Sequence, residues 1–164
     1  MKSKRISRII SGGQTGADRA AFDFAIENNI EIGGFVPKNR FAEDGFIAEK
    51  YPNLQETRSV NPMERTELNV KNSDATLILS HGELCGGSLL TKEFAEKHQK
   101  PFLHIDFAAL KMDEALAKTA NWLNSIACEN LNVAGARSSE DTEIYGKTGE
   151  FLRKLLEEKV ISNR

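Results

Sequence analysis

Cysteine is nearly absent from this chain, and with it go the function classes that cysteine builds. The two thiols, Cys85 and Cys128, have neither CxxC spacing nor companion histidines, so neither a zinc site nor a disulfide framework is expected. Long apolar runs are missing too. None approaches the ~18 residues of a membrane span, and the apolar stretch between the basic opening Met1-Lys-Ser-Lys-Arg5 and Ser11-Gly12-Gly13 is too short for a signal peptide. The cytoplasm is the expected compartment, with no membrane partner. A net charge of -2 supplies no basic field for phosphate backbones, so nucleic acid is not an expected partner. Internal repeats, heptads and low-complexity tracts are also lacking, which sets aside solenoids and coiled coils.

What remains is an ordinary globular composition, 40% hydrophobic and 28% charged, in 164 residues. That length suits one domain over residues 1–164 with a core of its own. Short β-branched runs alternate with longer segments of helical period, the pattern of βα units on a parallel sheet. Strands are expected over Arg5–Ile10, Ile32–Val36, Ala75–Leu79, Pro101–Ile105 and Asn130–Val133. Helices are expected over Thr15–Asn28, Met63–Lys71, Ser88–His98, Met112–Ile126 and Asp141–Lys159. Residues Pro37–Pro62 lack clean periodicity and form one long loop with a short helix near Ile47–Lys50, a length that suits a lid or binding segment. The fold class is therefore α/β, a Rossmann-like three-layer sandwich with a mostly parallel sheet of about five or more strands.

The strongest chemical signal is the turn Ser11-Gly12-Gly13-Gln14-Thr15-Gly16-Ala17-Asp18-Arg19 between the first strand and helix. Glycines there allow close approach of a ligand, and the first-turn N–H groups favour an oxyanion, with Gln14 and Thr15 adding side-chain hydrogen bonds. No Lys-Ser/Thr pair follows, so it is not a P-loop, and GxGxxG is not matched. A second turn carries Gly86, Gly87, Ser88 and Thr91, and a third carries Gly135, Arg137 and Ser138. All three follow strands, so a parallel sheet places them on one edge, where ligands bind. Arg40 offers a fork for phosphate, while Glu43 and Asp44, before Gly45, suit ribose hydroxyls or a cation; a solvated charged turn is the plain alternative. Arg65 and Asn69 share a helix face. His81 and Cys85 lie near the second turn without the partners of a catalytic site.

Ser11–Arg19, together with Pro37-Lys38-Asn39-Arg40-Phe41-Ala42-Glu43-Asp44-Gly45, Arg65–Val70, Ser73-Asp74, Gly86-Gly87 with Thr91, and Asn132–Arg137, resembles the molybdenum cofactor carrier family across nearly the whole chain. That family is similar to the LOG-like Rossmannoid group, once labelled lysine-decarboxylase-like. The resemblance implies a carried molybdenum cofactor or a nucleotide, and a homo-oligomer, dimer or tetramer. Three glycine turns without an evident catalytic group favour a binding protein over an enzyme. The phosphoribohydrolase pattern PGGxGTxxE is only partly echoed by Leu84–Glu93; that alternative would use Glu43, Asp44 or Glu93, and a nucleotide-sensing module is a third reading.

Overall fold

Strands and helices alternate through the computed structural model, which describes residues 5–161. In chain order they are β1 (Arg8–Ile10), α1 (Ala17–Glu27), β2 (Glu31–Val36), β3 (Phe41–Ala42), β4 (Gly45–Phe46), β5 (Leu54–Glu56) and α2 (Pro62–Lys71). There follow β6 (Ala75–Ser80), α3 (Gly86–Lys97), β7 (Phe102–Asp106), α4 (Met112–Ser125), β8 (Asn130–Gly135) and α5 (Ile144–Glu157). Six strands form one sheet in the order β5-β2-β1-β8-β6-β7, and every pairing in it is parallel. The fold is a Rossmann-like α/β sandwich.

Handedness explains the layers. Crossovers between parallel strands are right-handed, so helices of connections running one way along the sheet cover one face and those running the other way cover the opposite face. Helices α1 and α4 accordingly lie with α5 on one side, and α2 packs against α3 on the other. Strand β6 is buried at every position, as a central strand covered on both faces must be. Ala17, Ala21 and Ala25 give α1 a smooth buried face, letting it lie close to α5, whose Phe151, Leu152 and Leu155 are wholly buried. Each such large side chain contributes about 1.5–3 kcal/mol by leaving water. No helix among the described residues is long and apolar enough to cross a membrane.

Strand β8, the last in the chain, inserts between β1 and β6. Its register sets Ile10 beside Asn132 and Leu79 beside Gly135, so the carboxyl ends of these three strands finish side by side. Everything about the candidate site follows from this insertion.

The structure departs from sequence expectation mainly between residues 37 and 62. No helix forms near Ile47–Lys50; β3 and β4 make a small antiparallel hairpin instead, and Ile47 is buried beyond it. Leu54–Glu56 adds an unforeseen edge strand to β2. The first strand starts at Arg8 rather than Arg5, and Ile6 makes only an isolated bridge to Ile161. Of the basic opening segment, residues 1–4 lie outside the described part.

Candidate functional site

The three glycine turns meet at the carboxyl edge of β1, β8 and β6. A cavity of about 240 Å³ opens between them, lined from the first turn by Gln14 and Asp18, from the second by Gly87, Ser88 and Thr91, and from the third by Gly135 and Arg137. The first and third turns touch directly. Gly16 has φ 81°, its place holds no room for a Cβ, which would stand 2.3 Å from the Ala136 carbonyl, and the Ala17 N–H donates to that carbonyl at 3.1 Å. Helix α2 completes the cavity with Asn61, Pro62, Met63, Arg65 and Thr66, joined by Leu90, Ala134 and Glu140.

Arg65 is the group most out of place in a merely structural account. Its side chain is 14% exposed and that of Asp18 is 7% exposed, yet the two approach only to 3.9 Å, an ion pair without a hydrogen bond. One arm donates to the Thr66 hydroxyl at 3.0 Å, while the buried Nε has no acceptor. A buried charged donor left unpaired costs roughly 1–3 kcal/mol or more. Burial raises the Asp18 carboxyl above the ordinary aspartate range, a shift that Arg65 and the Gln14 N–H only partly oppose. Burial likewise lowers the affinity of Arg65 for its proton. Both residues also border a polar space of about 10 Å³, the size of one water. Helix α2 is fixed over the sheet by Asn69, one turn beyond Arg65, whose amide bonds both the N–H and the carbonyl of Phe35.

The backbone donors are less available than the glycines suggest. The Gln14 N–H donates to Asp18, and that of Thr15 donates to the Gln14 side chain, at 3.3 and 3.0 Å. In the third turn the Ser138 N–H donates to the Thr15 hydroxyl, and the Ser139 N–H to Glu43, each at 3.1 Å. The N–H groups of Gly86 and Gly87 at the start of α3, of Gly12, Gly13 and Gly16 in the first turn and of Arg137 in the third have no acceptor among the described residues; of these residues Gly87 and Arg137 line the cavity. Ser88 and Thr91, both facing the cavity, spend their hydroxyls on the Cys85 and Gly87 carbonyls at 2.8 Å.

The charged loop supplies struts. Arg40 donates to the carbonyls of Ile47, Ala48 and Tyr51, so its fork closes the loop on itself. Arg19 grips Asp44 with two nitrogens at 3.0 and 3.1 Å and also donates to the Gly13 carbonyl. Glu43 accepts from Thr15 and Ser139. Gly45, Arg40, Glu43 and Asp44 thus shape the hairpin beside the cavity and do not line it, and Glu93 is exposed elsewhere on α3. Gly12 and Gly13 underlie the first turn. His81 pairs with Asp141 at 2.7 Å and packs at a tilt against the Phe107 ring; the ligand atoms of His81, Asp141 and Glu143 lie within 4.8 Å of one another, the one grouping among the described residues that suits a cation. Cys85 is exposed at the cap of α3, where the charge of Glu140, then burial, raise its thiol above the ordinary range.

Sequence reasoning missed the mouth of α2. A signal was present: Asn61 before Pro62 is a helix start by type, and in the structure Asn61 caps the Met63 N–H at 2.9 Å with proline in the first turn.

Residues 9–156 match the model of the circularly permutated YpsA SLOG family. The chain belongs to that family. It is similar, at 49% identity and a TM-score of 0.91, to the crystal structure of a "putative molybdenum carrier protein" from Syntrophus aciditrophicus SB; the match covers 94% of this chain and 98% of that one. No curated protein matches.

Proposed function

We propose that this member of the family is a carrier that holds a phosphate-bearing small molecule, foremost the molybdenum cofactor and alternatively a nucleotide, in the cavity between its three glycine turns. The observation that supports this reading most is Arg65: a buried guanidinium at a cavity wall whose Nε lacks an acceptor is a receptor set for an oxyanion. The open N–H group of Gly87, at the cavity wall, gives the same anion a second anchor, backed by a helix dipole worth roughly +0.5 charge. Pro62, Met63, Leu90 and Ala134 offer apolar contact to a ring, and Gln14 and Asn61 offer hydrogen bonds to its edge. At about 240 Å³ the space suits one ring system with its phosphate, below the ~300–1,000 Å³ of larger ligand pockets. The name of the similar protein from S. aciditrophicus agrees with such a cargo.

The test is native mass spectrometry of the protein as purified from molybdenum-replete cells, followed by titration with molybdopterin and with nucleoside monophosphates. A retained pterin or nucleotide, on a dimer or tetramer, is expected, with binding weakened about tenfold or more in Arg65→Ala. Failure of every probe to bind the wild-type protein, or equal binding by Arg65→Ala, overturns the reading.

A further inference from the structure

Beside the cavity stands a second set of anion donors, and it is already filled. Glu43, at the tip of the β3–β4 hairpin, places its carboxylate between the first and third turns. One oxygen takes the Thr15 hydroxyl and the Ser139 N–H (3.1 Å); the other takes the Ser139 hydroxyl at 2.6 Å and lies 3.6 Å from Nε of Arg137. Two hydroxyls, a backbone N–H and a guanidinium are a donor set of the kind that binds phosphate, and here a carboxylate of the chain stands in for the anion. Burial acts to raise the Glu43 carboxyl, yet the Ser139 and Thr15 bonds and the Arg137 charge outweigh it and hold the group below its ordinary range, so it is an anion at neutral pH.

We propose that Thr15, Ser138, Ser139 and Arg137 form a binding site for a tetrahedral oxyanion, which Glu43 occupies until such an anion displaces it.

A tetrahedral oxyanion satisfies the cradle better than a carboxylate does. It brings more acceptor oxygens, enough to recruit the Ser138 N–H, which now turns to the Thr15 hydroxyl at 3.1 Å, and to compete for Arg137, whose Nε now donates to Glu140 at 2.7 Å. The occupant is also built to leave. Each hairpin strand is two residues long, and Phe41 and Phe46 across its ladder are 55% and 56% exposed, so among residues 41–46 only the small side chain of Ala42 is anchored by burial. Its other ties are the Asp44–Arg19 pair and the Glu43 N–H on Gln14 (3.0 Å). The base is different: Arg40 pins three carbonyls there and stays put when the tip swings. Departure of Glu43 removes one of the two N–H groups that the Gln14 side chain accepts, leaving that of Thr15, so filling the cradle loosens one residue of the neighbouring cavity wall. The proposal does not need the carrier reading, because of the cradle residues only Arg137 lines the cavity.

The experiment titrates inorganic phosphate, sulfate and molybdate, each alone, into the wild-type protein, Glu43→Ala and Glu43→Gln by calorimetry, with thermal melts to confirm folding. Removing the internal competitor is expected to tighten binding of these anions by about tenfold or more. Adding Thr15→Val and Ser139→Ala to Glu43→Ala is expected to abolish the gain. Hydrogen exchange supplies a measurement on the wild-type chain: saturating anion is expected to speed exchange in residues 41–46 while the Ser139 amide stays protected. No gain in either Glu43 variant, a gain that survives the Thr15 and Ser139 changes, or a hairpin that does not loosen with anion, each overturns the proposal. Arg65→Ala separates the two readings, since it weakens cavity binding and leaves the gain in Glu43→Ala intact.

Discussion

Replacing Gly12 with alanine is the sharpest probe of the cavity, because the backbone there tolerates a side chain and the nearest obstacle to it is Arg65. Gly12 is not among the positive-φ glycines, so alanine brings no conformational strain. Its Cβ would stand 2.4 Å from Nη1, 2.7 Å from Cζ and 3.0 Å from Cδ of Arg65. Ordinary contact begins near 3.4 Å, so the guanidinium must retreat by about 1 Å, away from its place beside Asp18. Loss of one charge-assisted hydrogen bond to a bound anion costs about 1.5–3 kcal/mol. That is a weakening of about 10- to 150-fold. Leaving Asp18 buried without its partner costs roughly 1–3 kcal/mol more in stability, and for a chain of this size Tm falls by about 2–4 °C per kcal/mol. The assay is calorimetric titration with molybdopterin or whichever nucleoside monophosphate binds the wild-type protein, beside a thermal melt, run as a double-mutant cycle with Arg65→Ala. In that background the new methyl meets no guanidinium, so Gly12→Ala should cost little further binding. Strictly additive losses, or a Gly12→Ala protein that binds like the wild type, would refute the reasoning.

Other substitutions test neighbouring parts of the account. Gly135→Ala would set a Cβ 2.2 Å from the Leu79 carbonyl and 2.7 Å from Ala17, both in the packed interior; a loss of about 3 kcal/mol or more is expected in denaturant melts, and a loss near zero would contradict the close strand-to-helix packing. Alkylation of the native protein should modify Cys85 and spare Cys128, which is buried with its thiol pushed up to about 12; Glu140→Gln should speed the Cys85 reaction near neutral pH by removing the charge that raises it, and an unchanged rate would count against that pairing. Tyr145 and Tyr51 both donate to Asp23, and the Asp23 bond, then burial, push Tyr145 up to about 12. Because that value exceeds the unfolded one, the stabilisation is whole below the ordinary tyrosine range and is lost as pH rises through about 12; Asp23→Asn should lower the Tyr145 transition in an absorbance titration, and no downward shift would refute the coupling.

Most of the fold was legible because its signals are local. The all-buried run Ala75–Ser80, the alanine face of α1 and the Phe151–Leu155 stripe each announce their element within a few residues. Leu54-Gln55-Glu56 announces nothing, since an edge strand with two exposed positions needs no apolar pattern and owes its state to β2. The hairpin failed for a related reason: Phe41 and Phe46 are exposed, so their apolar character points away from the core and misleads a periodicity argument. At the site, the placing of three turns on one sheet edge was legible because each follows a strand of a parallel sheet. The partners of each turn were not, because Glu43 bonds Thr15 across 28 positions and Ser139 across 96, separations that no short pattern encodes.

The glycines of the first turn also take on a different meaning in the structure. Their sequence suggests bare N–H groups held out to a ligand, yet the Gln14, Thr15 and Ala17 N–H groups have acceptors within the chain, and Gly12, Gly13 and Gly16, whose N–H groups have none, do not line the cavity. What the missing side chains permit is approach. Gly12 admits the Arg65 guanidinium against the backbone, and Gly16 admits the Ala136 carbonyl; a Cβ would stand within 2.4 Å of each, too close for either neighbour to remain. A turn that kept its amides open could rely on the helix dipole, worth typically 0.3–1 kcal/mol to an exposed charge, whereas a buried guanidinium delivers a charged hydrogen bond of about 1.5–3 kcal/mol. The stronger attraction comes from the side chain, so anion affinity in this family member should follow Arg65 and whatever keeps it in place, and respond only weakly to changes at exposed positions of the α1 first turn.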